Sequence, residues 1–324
     1  MFTNRRPRIS IAHLPTPLEP LPRLTALLRG PQLWVKRDDQ TGLATGGNKT
    51  RKLEFLVAEA LAQGADTLIT CGAAQSNHAR QTAAAAARFG LACTLVLRGH
   101  PPAQAQGNLL LDGLLGAEIV WAEDAPITER MEEVAESLRA QGHRPYVVPY
   151  GGSNPVGVCG YVAAMEELLA QAAREGLSFD HIVLASSSGG TQAGLMVAAR
   201  VLGYSGRILG ISVDLPADPL RRRMAELATA TADFLGLPLS FAPGDFAVED
   251  SYLGGGYGVI GEREREAIRL LARTEGLLLD PVYTGRAFGG LIDLVRRGAF
   301  SSQERVLFWH TGGVAGLFAR PTLE

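Results

Sequence analysis

The feature that most constrains the fold of this 324-residue chain is a regular alternation of short apolar runs with longer stretches of helical character. The apolar runs cover residues 66–71, 92–97, 118–121, 144–149, 181–185, 207–213 and 305–309. The helical stretches cover residues 80–89, 107–115, 131–141, 161–173, 196–202, 262–275 and 287–297. Short buried strands that alternate with helices are typical of parallel sheets covered on both faces. The pattern predicts an α/β fold with two domains, each an open, twisted, mostly parallel sheet flanked by helices.

A turn cluster rich in Gly, Asn and Pro, residues 151–155, separates two series of strands and helices. The sequence contains no internal repeat and no low-complexity linker. Two αβα layers joined without a flexible tether predict a cleft between them, which is a usual place for a small-molecule site.

Charge and cysteine usage argue against several classes of function. The formal net charge is −2, with acids and bases mixed along the chain, which gives no support for nucleic acid or an anionic membrane as the main partner. The basic cluster at residues 221–223 is interpreted as a solvated helix face.

The three cysteines, Cys71, Cys93 and Cys159, lie far apart without a CxxC pair. We therefore expect no metal site and no disulfide framework, and we expect the protein to occupy a reducing compartment. Cys71 and Cys93 fall in apolar runs and are predicted to be core residues.

The N-terminal segment has prolines where a signal peptide would need a helix. The sequence also has no apolar run of about twenty residues, the length that a bilayer-spanning helix requires. We therefore expect a cytoplasmic protein.

The first candidate for chemistry is the glycine-rich turn at residues 45–52. A phosphate-binding P-loop needs Gly-Lys-Ser/Thr, and Asn48 separates the glycines from Lys49, so we reject that interpretation. Glycines let a planar cofactor approach the backbone, and a helix start with Arg51 and Lys52 nearby favours a neutral Lys49 amine. Such an amine can form a Schiff base. On this segment alone, solvated helix lysines are an equal alternative.

The second candidate is the loop at residues 186–194, which follows an apolar run and opens a helix. Its amides and hydroxyls can converge on an anion at the helix N-terminus. A dinucleotide-binding loop would need GxGxxG spacing, which is absent. Asp214 does follow the next strand, so a dinucleotide site is a weak alternative, and a purely structural turn is another.

The third candidate is residues 73–78, again between a strand and a helix. Ser76 and Asn77 could hold a carboxylate together with the backbone amides, or could simply cap the helix. For His78 a packed or solvated position is favoured over a catalytic base.

Three hydroxyl-bearing motifs near the C-terminus lie beside glycines, at residues 254–258, 280–285 and 310–313. They contain Tyr257, Tyr283 and Thr311, and each motif alone is as consistent with a structural role as with a functional one.

Taken in order, these segments resemble the tryptophan-synthase-β-like enzymes, the fold type II enzymes that depend on pyridoxal 5'-phosphate (PLP). Within that group they resemble the D-cysteine desulfhydrase / 1-aminocyclopropane-1-carboxylate (ACC) deaminase family. The matching segments are residues 36–39, 46–54, 75–77, 188–194, 280–283 and 310–313, so the resemblance covers nearly the whole chain. For such a chain we expect a discontinuous large PLP-binding domain of residues 1–52 and 161–324, and a small αβα domain of residues 53–160.

The resemblance implies a role for each matching residue. Lys49 would form the Schiff base with PLP, Asn77 would bond the cofactor's ring hydroxyl, and Tyr257 and Tyr283 would lie over the reacting carbons. The residues implied to hold the phosphate are Lys52, Ser187, Ser188, Gly189, Gly190 and Thr191. The substrate carboxylate would be bound by Ser76 with its neighbours Asn77 and His78. The resemblance also implies a homodimer.

Two threonines separate the branches of this family. ACC deaminases have Glu where this chain has Thr284 and Leu where it has Thr311, so the chain resembles the desulfhydrase pattern. Gly190 and His78 also differ from the Ser and Gln of ACC deaminases. A hydroxyl near the pyridine nitrogen leaves that nitrogen largely unprotonated, which suits β-elimination. Which threonine faces the nitrogen stays open.

The expected activity is that of a PLP-dependent carbon–sulfur lyase that converts D-cysteine to pyruvate, hydrogen sulfide and ammonia. Alternatives within the class are ACC deaminase, a cysteate sulfo-lyase and a lyase for β-chloroalanine. Alternatives from other classes are an NAD-dependent oxidoreductase and a non-catalytic PLP-binding protein.

Overall fold

A computed structural model describes residue 3 and residues 6–319 of the chain. Its strands are β1 (Leu18–Pro20), β2 (Gln32–Arg37), β3 (Thr67–Ala73), β4 (Ala92–Arg98), β5 (Glu118–Trp121), β6 (Pro145–Val147), β7 (His181–Ser186), β8 (Arg207–Ser212), β9 (Ala247–Glu249) and β10 (Arg305–His310). Its α-helices are α1 (Pro22–Leu28), α2 (Lys49–Ala62), α3 (Asn77–Phe89), α4 (Gly107–Leu114), α5 (Ile127–Ala140), α6 (Pro155–Arg174), α7 (Gly190–Leu202), α8 (Ala217–Leu235), α9 (Glu262–Glu275) and α10 (Thr284–Arg296).

The strands form two sheets. One has six strands in the order β1-β2-β10-β7-β8-β9, and the other has four in the order β5-β4-β3-β6. Every pairing is parallel except that of β1 with β2, which is antiparallel. Helices flank both sheets, which confirms the predicted α/β architecture.

The hydrophobic core fills the space between sheets and helices. The six-stranded sheet has one apolar cluster against α6, α7 and α8, and another against α9 and α10. The four-stranded sheet packs α2 and α3 on one side and α5 on the other. Cys71, Cys93 and Cys159 are free thiols buried in these cores, as predicted for the first two. Among the described residues no helix is both long and apolar enough to cross a membrane.

The predicted boundaries at 52/53 and 160/161 each fall inside a helix, α2 and α6 respectively. These two helices pack closely, because a Cβ on Gly160 would lie 2.3 Å from the Arg51 carbonyl oxygen. The division into two domains at these residues stays a prediction.

A buried polar network joins α2 to the six-stranded sheet. Arg51 donates to both carboxylate oxygens of Asp38, at 2.8 and 2.9 Å, and also to Glu167 of α6. The same Asp38 carboxylate accepts from Tyr161 and from the Trp309 indole. These bonds fix the first turn of α2, and with it Lys49, relative to strands β2 and β10.

Candidate active site

A pocket lies at the carboxyl ends of β3, β7 and β10, where loops from both sheets meet. In parallel α/β sheets this edge is the usual position of a ligand site. The residues that line the pocket are Asn48, Lys49, Ala73, Ser76, Asn77, His78, Tyr150, Gly151, Ala185, Ser186, Ser187, Ser188, Gly189, Thr191, Tyr257, Tyr283, Thr311 and Gly312.

Most residues singled out from the sequence meet in this pocket. The predicted residues in its wall are Lys49, Ser76, Asn77, His78, Ser187, Ser188, Gly189, Thr191, Tyr257, Tyr283 and Thr311. Lys52, Gly190 and Thr284 are not in the wall. Segments as far apart in the sequence as Lys49 and Thr311 therefore converge on one cavity.

Lys49 is the first residue of α2, and its side chain faces the pocket. Its Nζ donates a long hydrogen bond, of 3.3 Å, to Asn48 Oδ1. Burial lowers the pKa of Lys49 to about 8, although the nearby Asp280 carboxylate acts in the opposite direction. A lysine in this state has a substantial neutral fraction near neutral pH and can act as a nucleophile.

The chain has only three lysines, Lys36, Lys49 and Lys52, and the other two are engaged elsewhere. Lys36 is fully buried and donates to the Thr16 carbonyl and to Glu167. Lys52 donates to the Gly151 carbonyl at 3.0 Å and to Ser153 Oγ at 3.1 Å. Lys49 is therefore the one lysine whose amine lines the pocket.

The structure corrects one cause proposed from the sequence for the neutral Lys49 amine. Arg51 points away into the network with Asp38 and Glu167, which balances its charge. Burial, rather than repulsion by Arg51, lowers the pKa of Lys49.

The loop before α7 forms a cradle of backbone amides. Gly189 has a φ of +83°, a conformation that favours glycine, and α7 begins at Gly190. A Cβ on Gly190 would lie 2.5 Å from Ser153 Oγ and 2.8 Å from Lys52 Nζ, so a larger residue there would displace the ends of those two side chains. Lys52 thus lies directly behind the loop, where its amine is a hydrogen-bond donor beside the amides of the helix N-terminus. Burial, followed by the charge of Lys49, holds the pKa of Lys52 well below its ordinary value.

The hydroxyls of this loop have different partners. Ser187 Oγ donates to Asp214 Oδ2 at 2.8 Å, so its proton points away from the cradle. Ser188 Oγ lies 2.8 Å from Ser153 Oγ, and Thr191 Oγ1 accepts from Asn48 Nδ2 at 3.1 Å. The hydroxyl proton of Thr191 remains available for an anion, whereas Ser187 offers its amide and Ser188 shares a hydrogen bond with Ser153.

Ser76 caps helix α3, as one of the two sequence interpretations stated. Its Oγ accepts from the Ala79 amide at 3.1 Å. A hydroxyl that accepts in this way still has its own proton to donate into the pocket. The capping role and a carboxylate-binding role are therefore compatible in one side chain.

His78 is packed rather than solvated, with 4% of its surface exposed. Thr70 donates its hydroxyl proton to the Val148 carbonyl, so it accepts from His78 Nε2 at 2.8 Å. Burial, followed by the charges of Lys49 and Lys52, holds the pKa of His78 well below its ordinary value, against the opposing effect of the Pro149 carbonyl. A neutral imidazole contributes shape, but no positive charge, to recognition of a carboxylate.

Tyr257 and Tyr283 form a hydroxyl pair, with 2.7 Å between their oxygens. Their rings meet edge to face, with centroids 6.0 Å apart. Burial raises the pKa of Tyr257 to about 12 and that of Tyr283 well above its ordinary value. Both phenols are therefore protonated at neutral pH, and because their mutual bond uses one proton, the other can be donated into the pocket.

The two threonines occupy different positions. Thr311 lines the pocket, whereas the Thr284 side chain is fully buried behind it. The Thr284 hydroxyl donates to Asp280 Oδ1 at 2.7 Å and accepts from the Asp280 amide at 2.8 Å. The geometry thus brings Thr311, but not Thr284, to the site, because the Thr284 hydroxyl is hydrogen-bonded to Asp280.

Sequence reasoning did not identify Tyr150 as a site residue. It follows the last strand-like run before the second series, and it lines both the pocket and a cavity of about 870 Å³ outside it. The signal was the position of Tyr150 at the end of a parallel strand, where the other site loops also lie. Asn48 was named only as the residue that breaks the P-loop pattern, yet it joins Lys49 to Thr191.

A family model described as pyridoxal-phosphate dependent enzyme matches residues 9–312, and the chain belongs to this family of PLP-dependent enzymes. The D-cysteine desulfhydrase of Yersinia pestis (strain Pestoides F) is 46% identical over 97% of this chain and 96% of its own. That of Klebsiella pneumoniae (strain 342) is 44% identical over 98% and 97%. The crystal structure of an ACC deaminase homologue superimposes with a TM-score of 0.90 at 40% identity, covering 98% of this chain and 95% of the other.

These findings confirm the resemblance drawn from the motifs, including PLP as the cofactor, and they overturn the dinucleotide alternative. The residues present also fit PLP on structural grounds. Lys49 presents an amine of lowered pKa to the pocket, and the loop before α7 offers a glycine cradle for a phosphate with Lys52 behind it. Within the described residues no group of three or more His, Cys, Asp or Glu could hold a metal ion.

Proposed function

We propose that this enzyme is a carbon–sulfur lyase that converts D-cysteine and water to pyruvate, hydrogen sulfide and ammonia. The observation that carries the proposal is similarity along almost the whole chain to enzymes named D-cysteine desulfhydrase. A threonine in the pocket wall at residue 311 supports the same choice, because the ACC deaminase pattern has leucine there.

Four parts of the site would hold the cofactor. Lys49 Nζ would bond its aldehyde carbon, and the loop of Ser187 to Thr191 with Lys52 behind it would hold the phosphate. Asn77 would bond the ring hydroxyl, and Thr311 would face the ring nitrogen. When bound, PLP supplies an electron-withdrawing ring that stabilises the electron pair left at Cα after deprotonation.

The residues of the chain perform the proton transfers. The neutral Nζ of Lys49 would accept the Cα proton, and its pKa of about 8 is close to the working pH that general base catalysis requires. The Tyr257–Tyr283 pair has one phenolic proton to donate toward the sulfur as the bond between Cβ and sulfur breaks. Hydrosulfide is a good leaving group, so a hydrogen bond from this weak acid is sufficient to assist its departure.

Ser76 would position the substrate. Its hydroxyl proton and the amides at the start of α3 would bind the substrate carboxylate, with Asn77 and the neutral His78 shaping the same wall. Tyr257 and Tyr150 line both this pocket and the outer cavity, so a substrate that enters from that cavity would pass them.

The test is a product assay on the purified, PLP-loaded enzyme. We expect pyruvate and sulfide from D-cysteine, and at least tenfold lower rates from L-cysteine, ACC and cysteate. A higher rate with ACC would assign the chain to the deaminase branch, and a higher rate with cysteate would assign it to the sulfo-lyases. A turnover rate indistinguishable from that of free PLP on every substrate would contradict the lyase proposal.

We also propose that the enzyme works in the cytoplasm as a homodimer. The cytoplasm is supported by three buried thiols without a disulfide among the described residues, since a reducing compartment maintains this state. The homodimer is supported by the family resemblance. Light scattering coupled to size exclusion tests it, and a monomer mass would contradict it.

A further inference from the structure

We propose that Asn108, which lies outside the pocket, is a positioning residue that fixes the side-chain amide of Asn77. In this arrangement the NH2 group of Asn77 is directed toward the cofactor's ring oxygen. The inference rests on the proposed role of Asn77 in holding the cofactor.

Asn108 is the second residue of α4, and none of its surface is exposed. Its Nδ2 donates to the Gln75 backbone carbonyl at 3.0 Å and to Asn77 Oδ1 at 2.9 Å. One amide group thus bonds to both sides of Ser76, in the turn that forms one wall of the pocket.

The backbone carbonyl determines the orientation of both amides. A carbonyl oxygen can only accept, so the Asn108 atom beside the Gln75 oxygen must be the NH2 group. That same NH2 group faces Asn77, so the facing atom of Asn77 must be its oxygen. The NH2 group of Asn77 is then left as a donor on the other side of the amide, in a residue that lines the pocket.

The turn that contains Gln75 also holds the start of α4 through hydrogen bonds of its own. Gln75 Oε1 accepts from the Asn108 backbone amide at 2.9 Å, and Gln75 Nε2 donates to the Gln106 carbonyl at 2.9 Å. A Cβ on Gly107 would lie 2.6 Å from Gln75 Oε1, so glycine allows this close approach. Because the bonds run in both directions, α4 and the turn are held as one unit.

The oxygen of the Asn108 side-chain amide, unlike its NH2 group, makes no hydrogen bond to the described residues. Asn108 Oδ1 is buried without a hydrogen-bond partner in the described part of the chain, as are both carboxylate oxygens of Asp112 one turn further along α4. A leucine of similar size would avoid leaving a buried oxygen unpaired. The polar side chain at residue 108 is therefore explained by its bonds to the Gln75 carbonyl and to Asn77 rather than by packing.

The experiment compares Asn108→Leu, Asn77→Ala and the double variant. Two readouts are used, the affinity of the apoenzyme for PLP and the pH midpoint of the visible absorbance of the loaded enzyme. Each variant should deprive the cofactor of the oriented Asn77 donor, and PLP binding should therefore weaken about tenfold. The pH midpoint should also move upward by about one unit in each variant. Without the Asn77 donor, the negative ring oxygen of the cofactor more strongly stabilises the proton on the neighbouring Lys49 nitrogen. The double variant should match Asn77→Ala, since Asn108 acts through Asn77.

The control is Asp112→Asn, on the same buried face of α4 but without a bond to the turn, and it should leave the pH midpoint unchanged. Asn108→Ser should reproduce the shift should the leucine variant fold poorly. An unchanged midpoint in a folded Asn108 variant, or additive effects in the double variant, would overturn the inference. If only Asn77→Ala shifts the midpoint, the role of Asn77 stands and that of Asn108 fails. If neither shifts it, both fail, whereas D-cysteine turnover tests the lyase proposal separately.

Discussion

Lys49 differs from an ordinary surface lysine because burial lowers its pKa from 10.5 to about 8. The neutral amine, which is the form that reacts with an aldehyde, therefore increases between pH 7 and pH 9 rather than near pH 10.5. We predict that the rate at which PLP loads the apoenzyme rises about tenfold from pH 7 to pH 9 and levels off above, measured by stopped-flow absorbance. A rate that continues to rise steeply to pH 10.5 would show that the amine is not perturbed.

Substitution of the two threonines that distinguish the branches of the family should have different effects. Thr311→Val removes a hydroxyl from the pocket wall, so we expect D-cysteine turnover to fall at least fivefold with little change in stability. Thr284→Val breaks the buried bonds to Asp280, so we expect the free energy of unfolding to fall by about 1–2 kcal/mol in urea titrations. A loss of stability in the Thr311 variant but not in the Thr284 variant would reverse these assignments.

At the scale of elements, α2 is held in place by charges that no neighbouring part of the sequence reveals. Arg51 pairs with Asp38, 13 residues away, and with Glu167, 116 residues away. Burial alone would raise the pKa of Asp38, but Arg51 beside it keeps that pKa below its ordinary value. Stability from this pair is therefore present above about pH 4 and lost as the pH falls through the pKa of the folded state.

We predict that Arg51→Met lowers the free energy of unfolding by about 3–5 kcal/mol at pH 7, because it leaves a buried carboxylate without its cation. Chemical denaturation measures this loss. Arg130→Met, which breaks the exposed pair with Glu133, is the matched control and should cost less than about 1 kcal/mol. Equal effects of the two substitutions would contradict a structural role for the buried network.

The sequence predicted elements best where the apolar pattern was continuous. The run at 118–121 and the helix at 262–275 match the structure residue for residue. Strand β2 was not predicted because Lys36 and Arg37 are charged, and their burial depends on partners far along the chain. The stretch predicted as helical at residues 196–202 lies in α7, which begins at Gly190 because the loop motif also forms its first turn.

Residues that line the candidate site were predictable where a motif ends a strand or starts a helix, as Lys49, Ser76 and Thr311 do. Thr284 could not be placed from the sequence, because its hydroxyl is taken by Asp280 only in the folded turn. The contact of Asn108 with Asn77 links residues 31 positions apart, and no local pattern predicts it.

For the whole molecule, the pocket brings together α2, the loop after β3 from the four-stranded sheet, and the loops after β7 and β10 from the six-stranded sheet. A ligand in this pocket contacts both sheets, so positions in each can control its binding. The scarcity of lysine allows a direct test, because only Lys36, Lys49 and Lys52 could bond the cofactor.

The most direct measurement is to load the enzyme with PLP, reduce it with borohydride and locate the modified lysine by peptide mass spectrometry. We predict a PLP adduct on Lys49 alone, and no adduct in a folded Lys49→Ala variant. An adduct on Lys36 or Lys52, or no adduct on the wild-type chain, would contradict the central claim that Lys49 is the residue that bonds PLP in this pocket.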